Sequence, residues 1–291
     1  MSRPADLILT ALAPAIWGST YFVTTEFLPQ GYPVTLAVLR ALPAGLLLLL
    51  LVRQLPPRAW LGRVLLLGAF NFAIFWVLLF VAAYRLPGGV AATLGAMQPL
   101  IVLLLARLAL GSQIRPLSVL AALAGLGGVA LLVLGPDAAL DPLGVAAGLG
   151  GAAAMAAGTV FSRKWQPPVP PLTFTAWQLT AGGLLLVPVA LITEPALPMP
   201  DAAALGGLLY LGLIGAALTY LLWFRGIARI EPAAISMLGM MSPVTAVLLG
   251  WLALGQSLSG LQAVGALAVL GSVWLGQWAA RLPAAPRRVT A

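Results

Sequence analysis

Apolar residues in this chain run in long continuous blocks, cut at short intervals by proline, glycine and single charges. There is neither strict alternation nor a narrow amphipathic stripe. Cutting at those punctuation points gives ten blocks, near 5–25, 34–52, 61–84, 88–109, 117–134, 142–162, 172–192, 202–224, 233–254 and 260–280. A helix crossing the roughly 30 Å hydrocarbon core of a bilayer needs about 20 apolar residues. Lipid offers the backbone no hydrogen bonds, so continuous blocks of that length predict transmembrane helices. The linkers, such as Arg53 to Trp60, Gly135 to Asp141 and Thr193 to Asp201, are too short for a soluble domain. The predicted fold is therefore an all-α membrane protein of ten transmembrane helices.

Composition agrees. Of 291 residues, 62% are hydrophobic and 8% charged, with mean hydropathy +1.05, whereas a soluble domain carries roughly a quarter charged residues. The seven acids are Asp6, Glu26, Asp137, Asp141, Glu194, Asp201 and Glu231, and none sits inside a long apolar run. The net charge of +8 comes from basic residues scattered singly or in pairs between apolar blocks, which reads as membrane topology rather than nucleic-acid binding. With the N-terminus in the cytoplasm, 13 of the 15 basic residues fall in or beside inner segments. Arg85 alone lies outside and Arg40 lies within a span, while Asp137, Asp141, Glu194 and Asp201 are also outside. The first apolar run reads as a spanning helix rather than a cleavable signal. Absence of cysteine and histidine argues against disulfides, thiolate or imidazole metal sites and histidine catalysis. No cofactor is expected.

The halves resemble each other. At an offset of about 140 residues, Gly18-Ser19-Thr20-Tyr21 falls on Gly158-Thr159-Val160-Phe161, and at 138 Pro33-Val34-Thr35 falls on Pro171-Leu172-Thr173 and Gly45 on Gly183. At 144, Gly68 falls on Gly212, Arg85 on Arg229, Gly95 on Gly239, Pro99 on Pro243 and Gly111 on Gly255. Five spans per half make this an inverted repeat, with residues 1–137 and 138–291 as its units. Such repeats in transporters form a midplane site that two pseudo-symmetric halves expose alternately.

The motifs Trp17-Gly18-Ser19-Thr20-Tyr21-Phe22-Val23, Pro99 with Leu110-Gly111, and the second-half copy ending in Leu254-Gly255 resemble the EamA-type drug/metabolite transporters over essentially the whole chain. Thr24 to Pro29 and Leu39 to Gly45 look most like the PecM-type exporters of that superfamily. The resemblance implies ten helices in two EamA repeats, residence in a bacterial inner membrane, and export of amino acids, related metabolites or pigments. Ser112 and Gln256 stand where many members carry Glu after Leu-x-Leu-Gly, so no role of that acid carries over.

Several residues are candidates for a substrate site. Pro99 and Pro243 lie mid-span, and each frees the carbonyl four residues earlier, on Gly95 and Gly239. With Gln98 and Ser242 beside the prolines, these four residues either line a cavity or mark packing kinks whose carbonyls are rebonded. Asn71, Phe75 and Trp76 on span three, and Thr219, Tyr220 and Trp223 on span eight, supply aromatic faces with few polar groups, as suits a flat or amphipathic solute. Asn71 and Phe75 should share a face, as should Thr219 and Trp223. Arg40 lies about 10 Å into its span at 1.5 Å per residue. It either grips a substrate carboxylate or snorkels outward toward Glu26. Ser and Thr on spans one and six, and the small residues from Gly144 to Gly158, read as helix-packing surfaces. Trp60, Trp165, Trp274 and Trp278 read as interfacial or packing residues.

The expected function is a secondary transporter whose partners are a small-molecule substrate and the lipid bilayer. No Walker A pattern occurs. The lack of acids within apolar runs favours a carrier that lets solute run down its gradient. The competing reading is a membrane-embedded sensor that binds without net transport; an intramembrane enzyme lacks a nucleophile–base pair.

Overall fold

The computed structural model describes residues 3–86, 88–133, 141–255, 257 and 259–282. Ten of its helices are long and apolar enough to cross a membrane. In chain order they are α1 (Pro4–Phe27), α2 (Pro33–Val52), α3 (Arg58–Ala83), α4 (Val90–Leu110), α5 (Pro116–Val133), α6 (Pro142–Lys164), α7 (Pro171–Thr193), α8 (Ala202–Arg229), α9 (Pro232–Leu254) and α10 (Gly260–Ala279). These match the apolar blocks within a few residues, except that α8 runs on from residue 224 to Arg229. Its last turn carries Arg225 and Arg229 on one face, at i and i+4, and Asp6 receives both. The expected boundary at 137/138, and the residues Asp137 and Gln256, lie outside the described residues.

Local chemistry sets the helix ends. Proline opens α2, α5, α6, α7 and α9, where its missing N–H costs nothing. Asp141 and Asp201 cap α6 and α8 through the backbone N–H groups of Gly144 and Ala204, and Ser259 with Gln262 forms a reciprocal capping box on α10. Gly111 (φ 69°) and Gly255 (φ 64°) close α4 and α9 in the left-handed region, which a Cβ would disfavour.

Sorting of side chains is that of a lipid-solvated protein. Leu50, Leu108, Leu191, Ile192 and Leu252 are among many exposed aliphatics, whereas Asn71, Thr159, Ser162, Gln178 and Thr219 are fully buried. Exchanging α1–α5 with α6–α10 carries the largest helix contacts onto one another. The most extensive interfaces are α2 on α7 and α5 on α10, and α1 packs on α8 and α9 as α6 packs on α3 and α4. Glycines set these approaches. A Cβ on Gly45 would lie 2.5 Å from the Thr180 nitrogen, and one on Gly183 would lie 2.7 Å from the Leu42 Cβ, two contacts related by the 138-residue offset. Gly144, Gly148, Gly151 and Gly158 form one face of α6 against α3 and α4, as the small-residue run predicts.

Four spans depart from regular α-helix, in repeat-related pairs. Residues Ala69–Ala73 of α3 and Leu213–Leu218 of α8 form π-helical segments. Helices α4 and α9 are broken by turns at Ala96–Met97 and Gly239–Met240. The prolines predict the second pair; the first pair was not predicted.

Gly45→Leu should destabilise the protein by about 1–3 kcal/mol through overpacking. Gly62→Leu, at a position with nothing within 4 Å of a new Cβ, should leave the detergent-solubilised melting temperature unchanged.

Candidate functional site

A π-helical turn replaces i→i−4 hydrogen bonds with i→i−5 bonds and leaves a carbonyl short of a partner. In the π-segment of α8 the Gly215 carbonyl takes two side-chain donors, Arg40 Nη2 at 2.6 Å and Thr219 Oγ1 at 2.8 Å. Thr219 Oγ1 in turn accepts from Trp17 Nε1 at 2.9 Å. One relay thus joins α1, α8 and α2. The Arg40 guanidinium also sits 5.3 Å from the Trp76 ring centroid on α3, a cation–π contact strengthened by exclusion of water. Arg40 therefore turns inward, and the alternative of snorkelling toward Glu26 is not what the structure shows.

Aromatic rings close around this relay. Trp17 lies 4.9 Å from Tyr220 and 5.2 Å from Trp223, and Phe72 lies 4.6 Å from Tyr220 and 5.4 Å from Trp76. Thr219 and Trp223 do share a face, since both meet Trp17. The Trp223 indole N–H is buried without a partner among the described residues.

At the repeat-related place in the first half, Asn71 lies in the π-segment of α3. Its Nδ2 donates to Gln178 Oε1 at 2.8 Å and to Ser162 Oγ at 3.2 Å. Offsets of 138 and 144 carry Arg40 onto Gln178 and Asn71 onto Gly215, so the two contacts are equivalent. In each, α2 or α7 reaches across to the π-segment of the opposite half. Asn71 Oδ1 and Gln178 Nε2 have no hydrogen-bond partner among the described residues. Asn71 is fully buried, with partners on α6 and α7, and Phe75 is half-buried against the core.

The candidates on α4 and α9 form a separate group. Gln98 reaches across to the break in α9, with its Oε1 3.8 Å from where a Gly239 Cβ would lie. Its Nε2 is buried and unpaired among the described residues. The Gly239 carbonyl accepts from Ser242 N–H at 3.1 Å, so it is rebonded locally rather than left open. Gly95 is exposed, with open space at its Cβ position. Ser242 packs through its carbonyl against Gly18, one residue from Trp17.

The sequence reading missed Trp17, Phe72, Ser162 and Gln178. Trp17 was visible in the motif that opens Gly18-Ser19-Thr20, and Gln178 as the counterpart of Arg40, but neither position reveals its partner.

The sequence profile of the EamA-like transporter family matches residues 5–134 and 142–276. The chain belongs to this family. It is 46% identical over 267 residues to the protein PecM of Dickeya dadantii (strain 3937), covering 91% of this chain and 90% of that one. It is 31% identical over 252 residues to the uncharacterized inner membrane transporter YedA of Escherichia coli (strain K12), covering 85% of this chain and 82% of the relative. A solved crystal structure superposes with a TM-score of 0.82, covering 96% of this chain and 99% of that chain. At 22% identity, that likeness concerns the fold alone.

Gly158 leaves the room that Asn71 occupies, since a Cβ there would clash with the Asn71 side-chain amide. Gly158→Ala should push the amide off Gln178 and cost about 1–3 kcal/mol of stability. Adding Asn71→Ser should make the combined loss less than the sum of the two single losses, because the shorter side chain clears the new methyl group although it also gives up the bond to Gln178.

Proposed function

We propose that this protein is an inner-membrane secondary transporter that exports a small amphipathic metabolite, an amino acid or related compound, by alternating access. The observation that carries the proposal is the Trp17–Thr219–Gly215–Arg40–Trp76 relay. It places a guanidinium, a hydroxyl and aromatic faces together on helices from both halves, inside a protein of a transporter family. Arg40 is the anchor for a substrate carboxylate, and Trp17, Trp76, Tyr220 and Trp223 supply the flat apolar walls. Gln98, with an unpaired buried amide, extends the site toward α9.

Repeat-related halves with five spans each enter the membrane from opposite sides, which lets one site face either aqueous phase in turn. The charge pattern supports cytoplasmic N- and C-termini. Named relatives are transporters, which supports carriage rather than catalysis. Apolar spans lacking central acids support movement of solute down its own gradient.

Purified protein in liposomes loaded with amino acids and carboxylate-bearing aromatic solutes should release at least one of them faster than empty liposomes. Arg40→Ala should slow that release by about tenfold or more, the worth of one hydrogen bond to a charged group, whereas Arg40→Lys should lose less. Binding without release of any solute would favour a sensor, and strict dependence on a pH gradient would overturn the gradient-driven reading.

A further inference from the structure

If the two halves were identical, the conformations open to either side would be equally stable. Any bias must come from contacts that one end of the molecule makes and the other lacks. At the end that carries the start of α1, three polar ties converge on the connection between α8 and α9. Asp6 on α1 holds Arg225 at 2.5 Å and Arg229 at 3.2 Å, with the Asp6 and Arg225 side chains only 13% and 14% exposed. Arg163, at the end of α6, donates to the carbonyls of Ile227 and Ala228, which end α8 and carry its negative dipole. Arg115, just before α5, donates both to Glu231 Oε1 at 3.1 Å and to Oε2 at 2.8 Å.

The repeat offsets locate the equivalents of these groups at the opposite end. Arg229 corresponds to Arg85, which meets Asp141 at the start of α6, as Arg229 meets Asp6 at the start of α1. That pair stands at 3.7 Å, with side chains 47% and 38% exposed. Arg225, Arg163 and Arg115 correspond to Val81, Val23 and Ser259, none of which carries a charge. Glu231 corresponds to Pro87, which has no acid. Among the described residues one tie is thus repeated loosely and two are not repeated. The opposite end has instead the Glu194 carboxylate at the end of α7, which accepts from the Val34 and Thr35 N–H groups of α2 at 2.7 Å each. Those two bonds do not touch the α8–α9 connection. An exposed pair at 3.7 Å contributes little, while breaking a mostly buried, hydrogen-bonded pair leaves charges short of partners.

We propose that Asp6, Arg163 and Arg115 are gate residues. With Arg225, Arg229 and Glu231 they latch the α8–α9 connection to α1, α6 and α5, and they bias the resting protein toward closure at the end that carries the N-terminus. The site is then open to the opposite side at rest, and each transport cycle must break the latch. The gate role rests on the transport reading, but the latch itself can be measured without a substrate.

The chain contains no cysteine, so a single engineered thiol reports alone. Ala13, fully buried on α1 about two turns from Asp6, is the probe position as Ala13→Cys, with a membrane-impermeant maleimide added to either face of sealed vesicles. The parent should label slowly from the latched end. Asp6→Asn, Arg163→Gln and Glu231→Gln should each raise that rate, by about tenfold for Asp6→Asn, a population shift of one order of magnitude. Arg85→Gln should not raise it. Each variant is checked for an intact fold by gel filtration and by its melting temperature. Folded latch variants that label no faster than the parent would overturn the proposal, as would an Arg85→Gln variant that labels as fast as Asp6→Asn. Faster labelling with no flux of any solute would leave the latch standing and would remove the transport reading instead.

Discussion

Lipid supplies no hydrogen bonds, and that constraint orders the whole molecule. Every backbone amide inside the membrane must find its partner within the protein. Regular helix solves this without help, so each departure from it needs a specific side chain or local rebonding. Among the described residues the spans depart at the π-segments of α3 and α8 and at the breaks of α4 and α9. The candidate residues gather at these places. The Gly215 carbonyl, in the π-segment of α8, accepts from Arg40 and Thr219, and the broken turn of α9 is rebonded from Gly239 to Ser242.

The repeat explains why the departures come in pairs and why their partners differ. Asn71 and Gly215 occupy equivalent places in the two π-segments, as do Gln178 and Arg40 on the helices that reach them. One half sets two side-chain amides against each other there, the other a guanidinium against a backbone carbonyl. The first solution is neutral and fully buried. The second places a cation against Trp76, whose ring connects through those of Phe72 and Tyr220 to that of Trp17. A scaffold with near-twofold helix packing thus carries a chemically one-sided centre, which suits recognition of a solute that is itself asymmetric.

The spans were legible because continuous apolar runs have one structural solution in a bilayer. The breaks were legible through Pro99 and Pro243, although each falls at the turn before the proline rather than at it. The π-segments were not, since a shift from i→i−4 to i→i−5 has no compositional mark. Arg40 stood out as a charge within a span, but its partner is the carbonyl of a glycine, which no side-chain pattern can indicate. The end of α8 was misplaced for a related reason. Arg225 and Arg229 look like a loop until Asp6, more than 200 residues away, is seen between them.

The central claim is that two equivalent halves open one interior site alternately to either end. Spin labels on cysteine pairs in the cysteine-free chain can follow both ends at once. Ile8 with Lys164 spans α1 to α6 at the latched end, and Phe27 with Leu143 spans the same helices at the other; all four side chains are exposed. The account predicts two distance populations for each pair, with transported solute lengthening one pair as it shortens the other. A single fixed distance at both ends, unchanged by a solute that the protein demonstrably moves, would contradict it.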